Sequence, residues 1–342
     1  MRKLSGKYKR SGTPTFPGIY DLKKVWNPPW FQGNLKIKNY FEGWYIKVVS
    51  RNGSHSWAFI PGISLHKGDR HAFVQAINGK TGKTWYFRYP LEAFSFSKNN
   101  FEAAIGNNYF SAEGIKLDLS SDKGSFKGEL EFLEQVHFPV SLITPGIMGW
   151  YRYVPFMECY HGVVSMDHQI KGSLVINETA CDFSEGKGYI EKDWGASMPQ
   201  SWIWMQTNHF ETPKTSLMLS VATIPWVRKK FTGFLGFFLH KGKLYHFATY
   251  SHARINQIEH NDDHLDLSLN GRGFSLKIQG KKGAKGSLKA PMLGNMGRVI
   301  HESLDSIIDV ELINQNGERI FKGQGKNAGL EIVGDASSLI PK

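Results

Sequence analysis

Three carboxylates lie in strand-like segments at positions suited to acid chemistry. Glu191 and Asp193 are two residues apart in an extended segment and therefore share one face. Repulsion between two like charges so close together raises the pKa of one of them. Glu42 shares a strand face with Trp44 and Ile46, where an ionised carboxylate is costly unless it is paired or protonated. The spacing predicts a desolvated acid that donates a proton near neutral pH, although Glu42 has the alternative of a structural pair with a lysine, an arginine or a backbone amide.

Two indoles and two amides alternate along the segment Ser201–Phe210. Trp202, Trp204, Gln206 and Asn208 share one face of an extended strand, and neither face is the charged surface of an ordinary half-buried strand. Indole faces stack against a carbocation or an aromatic head group, and amides hold a phenolic hydroxyl. The pattern indicates the wall of a ligand cavity, with an aromatic sheet core as the alternative.

Metal and nucleotide sites have no compact signature in this chain. His161 and His168 are seven residues apart, and His260 and His264 flank an acidic turn. Neither spacing is that of a compact metal site, and there is no phosphate-binding glycine loop and no nucleophile elbow. We therefore expect neither a metal nor a cofactor.

The chain of 342 residues carries a net charge of +12, from 42 basic and 30 acidic residues. Basic runs lie in Met1–Arg10 and between Lys277 and Lys289. Such runs are typical of solvated tails or of contact with an anionic membrane surface, and no nucleic-acid motif accompanies them. The chain has two cysteines, Cys159 and Cys181, and we find no secretory or membrane-spanning segment in it. These features favour a cytoplasmic protein, with peripheral contact to a membrane as the alternative.

Short strand patterns recur every eight to twelve residues and predict an all-β protein. Eight strands between Tyr40 and Gln135 form a first series, and a second series runs from Tyr160 to Gly323. Val140–Pro155 shows no period and is predicted to cross between domains, while Pro291–Ser303 is predicted to be loosely helical. The predicted domains are an extended N-terminal segment (1–33), a first barrel (34–142) and a second barrel (143–342).

Two long motifs resemble the tocopherol cyclase family. The stretch from Tyr189 to Asn208 contains Tyr-x-Glu-Lys-Asp-Trp-Gly and then Pro-x-x-Trp-x-Trp-x-Gln-x-Asn, and Phe41–Lys47 reads Phe-Glu-Gly-Trp-Tyr-Ile-Lys. This family belongs to a lipocalin-related group that includes carotenoid hydratases and natural-product cyclases. The resemblance implies two tandem lipocalin-like antiparallel β-barrels, with the ligand in an aromatic-lined pocket inside a barrel.

The resemblance also implies a reaction without a redox cofactor. An acid protonates an alkene of a prenylated quinol, and the tertiary cation is trapped by the phenol oxygen. The acid is expected to be Asp193, Glu191 or Glu42. The residues expected to contact the ligand are Trp44, Tyr45, Lys192, Trp194, Trp202, Trp204, Gln206, Asn208 and His161.

Other functions remain open at this point. Asp193 and Met198 stand where the plant-type pattern has Asn and Phe, so a hydratase or another cyclisation would use the same pocket. A non-catalytic carrier or sensor of a lipophilic ligand would need only aromatics and amides around that ligand. A basic surface-binding protein would bind anionic vesicles in a salt-sensitive way that does not depend on Trp202.

Overall fold

The computed structural model describes residues 23–226 and 229–339, and nearly all of its regular structure is β-strand. It contains two large antiparallel sheets, each curled around its own apolar interior. The all-β prediction with two tandem barrels is therefore confirmed. In the described ranges no helix has the length and apolar character needed to cross a bilayer.

The first barrel is built from twelve strands, in the order β4-β3-β2-β1-β12-β10-β9-β8-β7-β6-β5 with β11 beside β10. These strands are β1 (Phe41–Val49), β2 (Ser56–His66), β3 (Asp69–Asn78), β4 (Thr84–Pro90), β5 (Phe94–Phe96), β6 (Glu102–Ile105), β7 (Asn108–Ser111), β8 (Gly114–Ser121), β9 (Gly124–Val136), β10 (Cys159–Ile176), β11 (Thr179–Asp182) and β12 (Gly186–Gly195).

The second barrel is built from eleven strands, in the order β17-β16-β15-β13-β23-β22-β20-β19-β18, with β14 beside β23 and β21 beside β22. These strands are β13 (Trp202–Thr207), β14 (His209–Phe210), β15 (Thr215–Trp226), β16 (Lys229–His240), β17 (Lys243–Ala248), β18 (Arg254–His260), β19 (His264–Gly271), β20 (Phe274–Lys281), β21 (Lys285–Met292), β22 (Asn295–Asn314) and β23 (Arg319–Val333). Short 3₁₀ turns occupy Lys24–Trp26, Leu91–Ala93, Gly149–Tyr153, Thr249–Ser251 and Ala336–Leu339.

Alternation along the strands produces three apolar clusters. Side chains such as Trp44 and Phe126 fill the first barrel, and side chains such as Ile203 and Leu267 fill the second. The opposite faces of β1, β12 and β13 meet between the barrels, where residues such as Tyr45 form a third cluster. Both barrel interiors are therefore packed cores, and the space between the barrels is a separate compartment.

Two predictions about the second half of the chain need correction. Pro291–Ser303 is not helical, because it forms the turn and first part of the β21–β22 hairpin, where Leu293 takes a positive φ of 50° before Gly294. Val140–Pro155 does not connect two sheets, because it lies between β9 and β10 of the first barrel.

The chain passes from one sheet to the other between Gly195 and Trp202. The predicted division at residues 142 and 143 does not coincide with this change of sheet, and the domain bounds stay a prediction. Residues 1–22 of the predicted N-terminal segment lie outside the described residues. Of the remainder, Phe31 is buried in the first barrel's core and Pro29 accepts a hydrogen bond from Trp44 Nε1 at 3.0 Å.

Candidate active site

A cavity of about 200 Å³ lies between the two barrels. We expected a pocket inside a barrel, but side chains fill both interiors. Most of the cavity wall is apolar or aromatic and comes from both sheets and from the loop between β9 and β10. Its apolar lining includes Phe41, Tyr45, Ile60, Phe73, Met148, Tyr151, Trp202, Trp204, Ile224, Phe231, Leu288 and Ile300. Apolar walls around a few convergent polar groups are typical of a small-molecule site.

One polar group of the cavity is a histidine between two carboxylates, here called the His161 centre. His161 on β10 faces Glu191 and Asp193 on the neighbouring strand β12. Its Nδ1 lies 2.9 Å from Asp193 Oδ1, and its Nε2 lies 3.5 Å from Glu191 Oε2. Burial lowers the pKa of His161, but the two carboxylates outweigh this effect and raise it to about 9. The imidazole is therefore cationic at neutral pH.

Glu191 is the most buried carboxyl of this centre. Its Oε2 accepts hydrogen bonds from Tyr189 Oη at 2.7 Å and from Trp204 Nε1 at 3.2 Å. Desolvation raises the pKa of Glu191 to about 7, although the His161 cation opposes the shift. Glu191 therefore changes its charge near neutral pH, as a general acid or base requires.

The second polar group is a pair of glutamates, here called the glutamate pair. Glu302 on β22 and Glu331 on β23 stand opposite each other in the ladder, and both line the cavity. Trp202 Nε1 donates to Glu331 Oε2 at 2.5 Å, and Tyr45 Oη donates to Glu302 Oε1. Burial raises the pKa of Glu331 to about 7, and burial together with the Glu331 charge holds the pKa of Glu302 well above its usual range. Both effects favour the neutral, protonated form of Glu302.

Glu302 has one oxygen available for chemistry. Within the described part of the chain, its Oε2 has no hydrogen-bond partner although the side chain is fully buried. A buried polar atom without a hydrogen-bond partner is unfavourable unless a ligand or a water supplies the missing hydrogen bond. The position of this atom in the cavity wall makes it a candidate contact for a substrate.

Tyr45 and Trp204 connect the His161 centre with the glutamate pair. Their rings meet edge to face at 5.2 Å, while Tyr45 bonds Glu302 and Trp204 bonds Glu191. Gly329 makes room for this arrangement, since a Cβ at that position would lie 2.5 Å from a ring carbon of Trp204. The aromatic side chains thus hold both acidic groups against the same cavity.

The structure brings only part of the predicted ligand set to the cavity. Six of the predicted residues line it: Tyr45, His161, Glu191, Asp193, Trp202 and Trp204. Gln206 and Asn208 lie farther along the interface of the barrels, where Gln206 Oε1 accepts from Lys47 Nζ at 2.8 Å and Asn208 Nδ2 donates to Asp167 Oδ1 at 2.8 Å. Neither residue lines the cavity, so the predicted contact of their amides with the head group of the ligand is not found there.

Glu42, Lys192, Trp44 and Trp194 face the first barrel instead of the cavity. Lys192 Nζ lies 2.5 Å from a Glu42 carboxylate oxygen, and both side chains are fully buried. The Lys192 ammonium also stacks on the rings of Trp44 and Trp194, at 4.7 and 5.0 Å from their centroids. Backbone amides of residues 32 and 33 donate to Glu42 at 2.7 and 2.9 Å. These contacts match the alternative in which Glu42 forms a structural pair with a lysine and with backbone amides.

Sequence reasoning missed the glutamate pair. Glu331 stands between Leu330 and Ile332 in the run of residues 328–333, which is otherwise apolar, and a lone charge in such a run is a detectable signal. Glu302 has no comparable signal, because we had predicted its segment to be helical. Only the pairing of β22 with β23 brings the two side chains together.

His161, Glu191 and Asp193 are also the residues best placed to hold a cation. Their ligand atoms lie within 4.8 Å of one another. However, Glu191 Oε2 already accepts two hydrogen bonds, and His161 Nδ1 is bonded to Asp193. His161 Nε2 has no hydrogen-bond partner among the described residues, so this group keeps one ligand atom free, and the expected absence of a metal stays a prediction.

Comparisons with known proteins place these features in context. The family model described as "Tocopherol cyclase-like" matches residues 139–334, more than half of the chain. A probable chloroplastic tocopherol cyclase of Oryza sativa subsp. japonica is 28% identical over 74 residues, which span 22% of this chain and 16% of the rice protein.

Solved structures share the fold. The structure of CghA with Sch210972 has a TM-score of 0.55 at 10% identity and covers 86% of this chain and 89% of its own. Kievitone hydratase from Nectria haematococca has a TM-score of 0.50 at 11% identity, with the same coverage. At such identities the likeness concerns the architecture alone. On the extent of the family match, the chain belongs to the tocopherol cyclase-like family.

Proposed function

We propose that this protein is an enzyme that cyclises a prenylated quinol or a related isoprenoid small molecule without a redox cofactor. Family membership supports an enzyme of this kind. The observation that carries the proposal is an aromatic cavity between the barrels whose wall contains a buried carboxyl, Glu302, with a raised pKa and with one oxygen that has no hydrogen-bond partner among the described residues. An alkene is protonated only by an acid that is held away from water and next to groups that stabilise the cation.

The first step in this proposal is proton transfer from Glu302 to an alkene carbon of the substrate. The unpartnered Oε2 is the donor atom, and the new C–H bond leaves a tertiary carbocation and a glutamate anion. Rings of Tyr45, Trp202 and Trp204 line the cavity beside this acid and offer their faces to the cation. The negative charge left on the glutamate pair stabilises the same cation.

The second step closes the ring. The substrate's hydroxyl oxygen attacks the cation to form a C–O bond, and its proton passes to the ionised carboxylate of Glu191. Asp193 and His161 orient the hydroxyl, because their hydrogen bond of 2.9 Å fixes both side chains in the cavity wall. Transfer of the proton back to Glu302 through solvent or substrate returns the enzyme to its starting state, so the overall reaction is an isomerisation.

Analysis of the product in D₂O tests this function. We expect a prenylated hydroquinone incubated with the protein to give a product of unchanged composition with one deuterium on carbon, detected by mass spectrometry and NMR. A product heavier by one water would instead identify a hydratase, because water would have trapped the cation. Tight binding without any product would support the carrier and would contradict the proposal.

The pH dependence of the rate tests the assignment of Glu191. Because its pKa is raised to about 7 and the base must be ionised, we expect kcat/KM to rise about tenfold per pH unit below 7 and to level off above it. The Glu191→Gln variant is expected to lose most of the activity, and its remaining kcat/KM should no longer rise with pH below 7. Glu129→Gln, which changes an exposed carboxylate paired with Lys116 at 2.5 Å, is the control and should keep the wild-type profile.

A further inference from the structure

Three elements that line the cavity also carry exposed apolar side chains. The loop between β9 and β10 supplies Leu142, Ile143 and Phe156, whose exposed fractions are 76%, 79% and 99%. The same loop contributes Met148 and Tyr151 to the cavity wall. The same loop thus forms part of the cavity wall and presents apolar side chains to the solvent.

Two hairpins that line the cavity also carry exposed apolar side chains. At the β15–β16 turn, exposed Trp226 packs edge to face against Tyr151 at 6.3 Å, and Phe231 of the same hairpin lines the cavity. At the β21–β22 turn, Met292 and Leu293 are each 59% exposed. Ten of the thirteen exposed large apolar side chains in the described residues belong to these three elements, here called the mouth rim. Such a concentration marks an interaction surface, because single exposed apolar residues are normally scattered.

The charges near the mouth rim are mainly basic. Lys229 and Lys230 are exposed directly after the β15–β16 turn, and Arg298 stacks on Trp202 at 4.8 Å. The acidic group of the loop between β9 and β10, Glu158, is half-buried and interacts electrostatically with Lys230 and Arg298. Apolar and aromatic side chains with lysine beside them are typical of surfaces that enter the headgroup region of an anionic bilayer.

We propose that the mouth rim docks on an anionic lipid bilayer, so that an apolar substrate moves from the membrane into the cavity without crossing water. This inference extends the proposed function by assigning the route of the substrate. The basic runs at the N-terminus and between Lys277 and Lys289 are not needed for it. The docking surface is the set of apolar side chains of the mouth rim, and the lysines supply long-range attraction.

Vesicle flotation tests the docking surface without reference to catalysis. Vesicles of phosphatidylcholine and phosphatidylglycerol in equal parts are expected to bind the wild-type protein and to keep much of it at high salt, because apolar insertion is not screened. A triple variant of the rim, Leu142→Ser, Ile143→Ser and Phe156→Asn, is expected to reduce the partition coefficient at least about tenfold. Phe156 has a φ of 61°, a conformation that Asn tolerates well, so the loop should keep its shape.

The matched control changes three exposed apolar side chains away from the mouth: Leu133→Ser, Val175→Ser and Ile320→Ser. This variant should bind vesicles within about twofold of wild type. Equal binding by the rim variant would overturn the proposal, as would equal loss in the control. The wild type could also fail to bind vesicles and instead self-associate in sedimentation velocity. If the rim variant abolished this self-association, the mouth rim would be a contact with a second copy of the chain, and the proposal would be overturned.

The rim variant also separates docking from the reaction. It is expected to turn over a short-chain, water-soluble quinol like the wild type, because none of its three substitutions touches the His161 centre or the glutamate pair. A loss of vesicle binding with this activity retained supports docking. If activity on the soluble quinol fell together with vesicle binding, the rim would be part of the reaction site, and the docking role would be rejected.

Discussion

The Glu302→Gln variant is expected to lower turnover by a factor of about 10²–10⁴, the usual contribution of a general acid. Gln keeps the acceptor for Tyr45 Oη and nearly the same volume, but its amide has no acidic proton to give to an alkene. The measurement is single-turnover conversion of the prenylated quinol, with ligand binding followed by quenching of tryptophan fluorescence. Binding should survive, since Trp202 and Trp204 remain in the cavity wall.

The control for this prediction is Glu311→Gln on the same strand. Glu311 is paired with Arg319 at 2.6 Å on the surface, so its loss should leave turnover unchanged. Full activity in Glu302→Gln, with reduced activity in Glu191→Gln, would move the acid to the His161 centre. Full activity in both variants would rule out the assignment of the acid altogether.

Replacing Lys192 by Met is expected to destabilise the protein by about 3–5 kcal/mol, because it leaves the buried charge of Glu42 without its cation. Lys192 also donates to the carbonyl oxygen of Pro28 at 3.1 Å, so the change removes an anchor of the segment before β1. The measurement is the free energy of unfolding in a denaturant titration. A loss below 1 kcal/mol would show that the backbone amides and Tyr40 are sufficient to hold the Glu42 carboxylate.

Two further variants serve as controls for this stability measurement. Arg319→Met breaks an exposed pair with Glu311 and should leave the free energy of unfolding close to that of the wild type. The double variant Glu42→Leu with Lys192→Met removes both buried charges and should recover most of the stability that the single change loses. If the double variant were no more stable than Lys192→Met, the loss would come from packing and not from the unpaired carboxylate.

Local pattern was sufficient to predict most strands and one wall of the site. The alternation around Trp202 and Trp204 correctly placed both indoles on one face, and the spacing of Glu191 and Asp193 correctly gave them a shared side of β12. The alternation shows which face of the strand a side chain occupies, but not whether that part of the strand borders the cavity. Gln206 and Asn208 follow the same alternation as the indoles, yet β13 has already passed the cavity when it reaches them.

The local sequence pattern could not predict where the cavity lies, because the position of the cavity depends on how the two sheets pack. Trp44 and Tyr45 are neighbours in the sequence, but one faces a barrel core and the other faces the gap between barrels. Glu302 and Glu331 meet Glu191 only after two long-range strand pairings and the docking of the barrels. Such contacts carry no short-range signal, and an alternating strand looks the same on either side of a sheet.

The passage from the first sheet to the second between Gly195 and Trp202 divides the residues of the proposed mechanism between two sheets. The proposed base and its histidine belong to the first sheet, and the proposed proton donor and the two indoles belong to the second. On this proposal, neither half of the chain alone carries out the chemistry. Two polypeptides produced by cutting this junction should be inert when separate and should regain turnover by complementation, with an activity that follows their association constant.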